Sequence, residues 1–150
     1  MEEQIMNMPA VALRGLTILP GMIAHFDISR ERSLRAVEEA MEQDQKIYLV
    51  TQRNVDSEDP TQEDLYQMGI VADIKQVVRL QNDVVRILVD GISRAALLGF
   101  TGNEKYLEAE ICYCDSNADS LPEDLREAML LGVREAFHRY AAVVGKISKE

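Results

Sequence analysis

From Gly69 to Phe100 the chain reads GIVADIKQVVRLQNDVVRILVDGISRAALLGF: three apolar runs rich in β-branched residues, separated by QND and by Gly91. Such runs form strands. Connections this short leave no room for the crossover of roughly a dozen residues that parallel neighbours need, so the three must fold back on one another as an antiparallel meander. KYLEAEICY supplies a further strand, with Leu107, Ala109 and Ile111 on one face and Glu108 and Glu110 on the other.

Upstream, Val11 and Leu13 suggest a first strand, and LPG at Leu19–Gly21 is a turn in which proline presets φ and glycine accepts a positive one. In MIAHFDI, Met22, Ala24, Phe26 and Ile28 alternate with His25 and Asp27, the period of a half-buried strand. Ser29 is placed to cap a helix running from about Arg30 to Asp44, in which Leu34, Val37, Ala40 and Met41 recur at helical spacing and Glu38, Glu39 and Glu42 face water. KIYLVTQ is the next strand. NVDSEDPTQED, Asn54 to Asp64, carries five acidic residues and a proline, and reads as a solvated loop closing in a helical turn. About seven strands and one helix before residue 115 predict an α+β domain, a twisted or partly closed β body with a helix packed on it.

The pattern changes at CDSNADSLPEDL. Ser120 and Glu123 have capping-box spacing and Pro122 suits a first helical turn. Leu125, Ala128, Met129, Val133, Ala136, Phe137, Tyr140, Ala141 and Val144 then recur at i, i+3, i+4 spacing, an apolar stripe too wide to stand alone. Nothing after GKISKE arrives to cover it, so residues 1–115 are expected to form the β domain and 116–150 the beginning of a helical subdomain of a longer chain. Met41 and Met129, on helix stripes, are expected in the core; Met22 and Met68, beside turns, can be core or surface.

At 150 residues a chain buries roughly 70% of its unfolded surface, and 47% hydrophobic with 28% charged residues is ordinary globular composition. The net charge of −10, from 26 acidic and 16 basic residues with no basic stripe, disfavours nucleic acid and anionic membrane as partners. No basic leader with an apolar run opens the sequence, and no window approaches the roughly 18 apolar residues of a membrane span. The expected location is cytoplasmic.

The sequence carries no catalytic, cofactor or metal signature. VVGKISK has Gly145 and Lys146, but Ile147 stands where a phosphate loop needs a hydroxyl and Tyr140 where it needs its first glycine. Cys112 and Cys114 point the same way along a strand, poorly placed for a disulfide, and the histidines that would help hold a metal, His25 and His138, are distant in sequence. His25 lacks the positioned partner that acid–base work requires, so a surface histidine is the reading. DSEDPTQED lacks the sixth-position glycine and ligand rhythm of a calcium loop.

The ordered set LRGLTILPGMIAHFDISRERSLRAVEEAM, KIYLVTQ, DPTQEDLYQMGIVADIKQVVRL, VRILVDGISRAALLGF and KYLEAEI, from about Met8 to Ile111, resembles the N-terminal domain of the ATP-dependent Lon proteases. PEDLREAMLLGVREAFHRYAAVVGKIS is similar to the helical segment that follows it in that family. Departures at RGLTI and QND touch a loop and a surface turn. The resemblance implies a PUA-like β body followed by a helical subdomain, within a homohexameric AAA+ enzyme that carries a serine–lysine protease dyad. The catalytic parts, and the ATP and magnesium they use, are expected elsewhere in the full enzyme, with no cofactor in this chain. Implied partners are unfolded or degron-bearing proteins and further copies of the chain. A weak, adaptable apolar surface suits such clients, and Leu19, Pro20, Met22 and Met68, all beside turns, are the candidate polypeptide-binding residues. Three rival readings are a stand-alone Lon-domain adaptor without an ATPase, an RNA-binding PUA-like module, which the acidic balance opposes, and a small hydrolase using His25.

Overall fold

A computed structural model describes residues 5–58, 60–114 and 122–145. The chain divides into two compact units, residues 1–115 and 116–150. The first is α+β: strands β1 (Ile5–Leu13), β2 (Ile23–Ile28), β3 (Lys46–Thr51), β4 (Met68–Arg79), β5 (Val85–Phe100) and β6 (Glu108–Tyr113), with helix α1 (Glu31–Glu42) between β2 and β3.

The six strands form one sheet in the order β2-β5-β4-β3-β1-β6. β1 and β3 are parallel, joined through β2 and α1, and the other pairings are antiparallel. β6 pairs with β1 and also with the C-terminal half of β5, so β1, β3, β4, β5 and β6 close into a ring. Met8, Ala10, Tyr48, Val50, Val71, Ala95, Leu97, Ala109 and Ile111 fill one core. Alternate residues of the same strands, Val11, Leu13, Ile47, Leu49, Ile70, Ala72 and Ile74, point the other way into a second core, which also receives Ile28, Ile87, Val89 and the α1 residues Ala36, Val37 and Ala40. Burial on both faces explains why KIYLVTQ and GIVADI read as near-continuous apolar runs.

Three sequence readings change here. Gly91 does not separate two strands: β5 runs through it for 16 residues. Register shifts leave Ile92 as an extra residue between Gly91 and Ser93, and Leu98 between Leu97 and Gly99. Bulges of this kind bend a strand, which lets β5 serve β2 at one end and the ring at the other. Second, Arg30, not Ser29, is the N-cap of α1, with no side-chain cap bond. Third, Met41 is 37% exposed, because Ser33, Ala36, Val37 and Ala40 already fill the stripe that packs on the sheet. β1 also starts earlier than Val11, at Ile5, because β6 pairs with its first half.

Two tyrosines tie the cores to alkaline stability. Burial pushes the phenol of Tyr48 far above its usual 10.0. Desolvation first, then its hydrogen bond to the Glu108 carboxylate (Oη to Oε2, 3.0 Å), raises Tyr106 to about 12. Both groups hold their protons more tightly folded than unfolded. Their contribution is therefore complete below pH 10.0 and lost as pH rises toward about 12. Replacing Tyr48 or Tyr106 by phenylalanine should remove phenolate absorbance that rises only above pH 10.0 in the folded domain, with thermal stability of the wild-type chain falling over the same window; ionisation of both phenols at the pH of free tyrosine, at constant stability, would contradict this.

In the second unit, α2 (Glu123–Val144) has Pro122 at its N-cap and ends on Gly145, whose φ of 71° makes the left-handed cap, its N–H donating to the Ala141 carbonyl at 3.0 Å. The proposed capping serine, Ser120, lies outside the described residues. No described residue of α2 is buried; Met129, expected in a core, is 54% exposed. A stripe buries only where something packs on it, and among the described residues of the unit nothing covers this one.

Candidate functional site

Leu19, Pro20 and Met22 lie in the turn that joins β1 to β2, and this turn is pinned to β5 by its backbone. Gly21 N–H donates to the Gly91 carbonyl (2.8 Å), Gly91 N–H to the Met22 carbonyl (2.9 Å), and Met22 N–H to the Leu19 carbonyl (3.1 Å). A Cβ on Gly91 would lie 2.4 Å from the Leu19 carbonyl oxygen, so the glycine is what lets the turn sit this close. Gly21 supplies the positive φ, 81°, that the LPG sequence anticipates. The chain is fixed while its side chains face out: Leu19 is 59% and Met22 38% exposed, and Pro20 is exposed as well.

Met68, 45% exposed, starts β4 on the face that also carries Ile70 and Ala72. Ala72 pairs with Gly91 beneath the turn, which puts Met68 four residues, roughly 13 Å, along the same sheet face. The structure thus brings Leu19, Pro20 and Met22 together and sets Met68 apart from them, with buried Ile70 and exposed Arg94 paired in between. Ile23, next in the chain, and Ile92, next to Gly91, are exposed apolar residues that sequence reasoning missed. Ile23 precedes a half-buried alternation and Ile92 is a bulge residue, whose direction only the register reveals.

Sequence reasoning also missed a cleft of about 660 Å³ between the ends of two strands, lined by Val11–Leu13 of β1 with the following Arg14 and by Phe26–Ile28 of β2 with the following Ser29, and with Leu16, Arg30, Glu31 and Glu58 around it. Arg14 and Arg30 each donate to the Ser57 carbonyl, at 3.2 and 3.0 Å, as does the buried Gln52 amide at 3.0 Å. Asp27 is held by Arg86 through two bonds of 2.7 and 3.2 Å, which keeps its carboxyl below the usual range, and Glu31 is paired with Arg35. Two of the cleft's carboxylates are therefore already neutralised by guanidinium partners.

His25 is exposed on β2, on the face opposite Phe26, and His138 is exposed on α2. Cys112 and Cys114 form no disulfide among the described residues, and Cys114 Sγ lies 3.9 Å from Met68 Sδ. The acidic loop closes in a 3-10 turn, Gln62–Asp64, where Thr61 N–H donates to the Asp64 carboxylate at 3.0 Å. No group of three or more metal-ligating side chains occurs among the described residues, and no described helix is long and apolar enough to cross a membrane. Gly145 ends a helix, whereas a phosphate loop opens one: the partial negative charge of a helix C-terminus repels phosphate. These residues do not fit ATP.

Comparison with known proteins gives a consistent result. Residues 7–150 match the family model described as the ATP-dependent protease La (LON) substrate-binding domain. The chain is 37% identical over its whole length to Lon protease of Lachnoclostridium phytofermentans, covering 18% of that protein. It is 32% identical over 99% of its length to Lon protease 1 of Bacillus subtilis, covering 19%. It thus spans about a fifth of the length of the curated relatives it matches. Among solved structures it is similar to the N-terminal domain of Mycobacterium avium complex Lon protease, with a TM-score of 0.64 at 17% identity, over 94% of this chain and 76% of that one. It is also similar to a Lon N-terminal domain protein from Xanthomonas campestris, with a TM-score of 0.58 at 16% identity, over 84% and 74%. The overall fold is similar to that of these domains, and the chain belongs to the ATP-dependent protease La (LON) substrate-binding domain family.

Proposed function

We propose that this chain recognises protein substrates for an ATP-dependent Lon-type serine protease, holding unfolded or damaged segments on the apolar turn of Leu19, Pro20 and Met22, with Met68 a separate contact farther along the same sheet face. The observation that carries this is the pinned turn: its backbone is fixed on Gly91 while apolar side chains are held in water, a cost that a binding surface justifies. Unfolded proteins differ from folded ones in exposing apolar side chains, and a thioether chain adapts to many shapes. In the whole enzyme, proposed to be a cytoplasmic AAA+ homohexamer, weak sites on several copies gain from avidity, and ATP with magnesium is used by other domains. Residues 1–115 are the recognition domain and 116–150 the start of the helical connection.

The double variant Leu19→Ser/Met22→Ser is expected to bind a reduced, carboxymethylated protein about tenfold more weakly, roughly 1.4 kcal/mol, with an unchanged melting temperature. An NMR titration checks the location. Shift changes confined to surfaces away from the turn and Met68 would sink the assignment.

A further inference from the structure

We propose that the free edge of β2, with the cleft beside it, binds an extended segment of unfolded polypeptide by main-chain pairing, so that the client adds a strand to the sheet. This rests on the substrate-holding reading above and specifies the form in which the substrate is held.

β2 is the terminal strand of the sheet, and among the described residues it pairs with β5 alone. Gly91 N–H donates to the Met22 carbonyl, which fixes the side on which each β2 backbone group lies. Because those groups alternate, Ala24, Phe26 and Ile28 bond toward β5, and Ile23, His25 and Asp27 turn their N–H and C=O outward. An outward row of this kind is a template for another strand, and folded proteins guard it with proline, lysine or a bulge. IAHFDI has no proline or lysine, and its ladder with β5 runs without a register shift.

Space and chemistry beside the edge favour a polypeptide. The cleft of about 660 Å³ lies between Phe26–Ser29 and Val11–Arg14, so a strand entering there has an edge along one side and the end of β1 along the other. Half-buried Phe26 and Leu16 line it for alternate apolar side chains. Arg14 and Arg30 stand at the rim. The strand begins at Ile23, directly after the exposed Leu19–Met22 turn, so one extended client can touch the apolar turn and then follow the edge. Turn contacts select apolar segments; main-chain bonds hold them whatever their sequence, as a substrate-binding domain with many clients requires.

The probe is a soluble peptide of alternating valine and threonine, compared with its twin methylated on alternate backbone nitrogens. Main-chain pairing predicts at least fivefold weaker binding of the methylated twin. It also predicts slowed hydrogen exchange at the His25 and Asp27 amides when the unmethylated peptide is bound. His25→Pro removes an outward donor and spares the bonds to β5, and it is expected to weaken binding as much. Equal affinity of the twins, with unprotected His25 and Asp27 amides, overturns the proposal. If Leu19→Ser/Met22→Ser still weakens binding in that case, the substrate-holding role of the turn survives without the strand. If His25→Pro leaves peptide affinity unchanged and converts a dimer to a monomer, the edge serves a second copy of the chain and the proposal fails. No binding of either peptide overturns both readings.

Discussion

Tyr48→Ala is expected to destabilise the domain by about 4 kcal/mol, with Tyr48→Phe costing only about 1 kcal/mol, both read from urea unfolding. Tyr48 is fully buried in the ring, and its hydroxyl donates to the Ala95 carbonyl at 3.0 Å, bridging β3 to β5, which are not neighbours in the sheet. The phenol occupies space that Gly69 leaves open: a Cβ there would stand 2.5 Å from Tyr48 Cζ and Oη. Truncation removes the whole ring from a core in which Met8, Val50, Val71, Leu97 and Ile111 are already packed, and strands closed into a ring have little freedom to collapse into the void. The phenylalanine variant keeps the volume and loses one hydrogen bond. A similar loss for both variants would show that the bond to Ala95, and not the filled volume, is what matters.

How far the sequence disclosed this arrangement depends on the range of the interaction involved. Period-two alternation in IAHFDI correctly assigned Ala24, Phe26 and Ile28 to the core side and His25 and Asp27 to water, because alternation is a property of the strand itself. The LPG turn was legible for the same local reason. Gly91 was misread as a boundary because a glycine within β-branched residues marks a turn or a close approach equally well, and the carbonyl that approaches it belongs to Leu19, far away in the chain. Met41 sat on the right stripe, but periodicity shows a direction and not how much of the stripe is covered. The β1–β2 cleft had no local signal at all. It exists because β6 closes the ring with β5 and leaves β2 outside, a consequence of strand order that no segment encodes alone.

Gly91→Val should lower the melting temperature by roughly 10 °C, about 3 kcal/mol at roughly 3 °C per kcal/mol, and weaken binding of a reduced, carboxymethylated protein even where the variant is fully folded. Valine is the better strand former by propensity, so a purely local argument gives the opposite sign. The contact decides otherwise. A Cβ would meet the Leu19 carbonyl oxygen at 2.4 Å and Ile70 Cδ1 at 2.8 Å. Ile70 can shift the end of its side chain, whereas the carbonyl is backbone and accepts from Met22 N–H. The turn must therefore lift, and the Gly21 and Met22 bonds to Gly91 go with it, about 1 kcal/mol each. Lifting the turn also moves Leu19 and Met22, which is why stability and binding should fall together. Gly99 provides the comparison within the same strand: a Cβ there meets only Gln62 Oε1 at 3.6 Å, an ordinary contact, so Gly99→Ala is expected to be neutral within about 1 kcal/mol. Calorimetry of the two variants separates the explanations. Equal melting temperatures would mean that the turn is not seated on Gly91, and the fixed presentation of its apolar side chains would lose its physical basis.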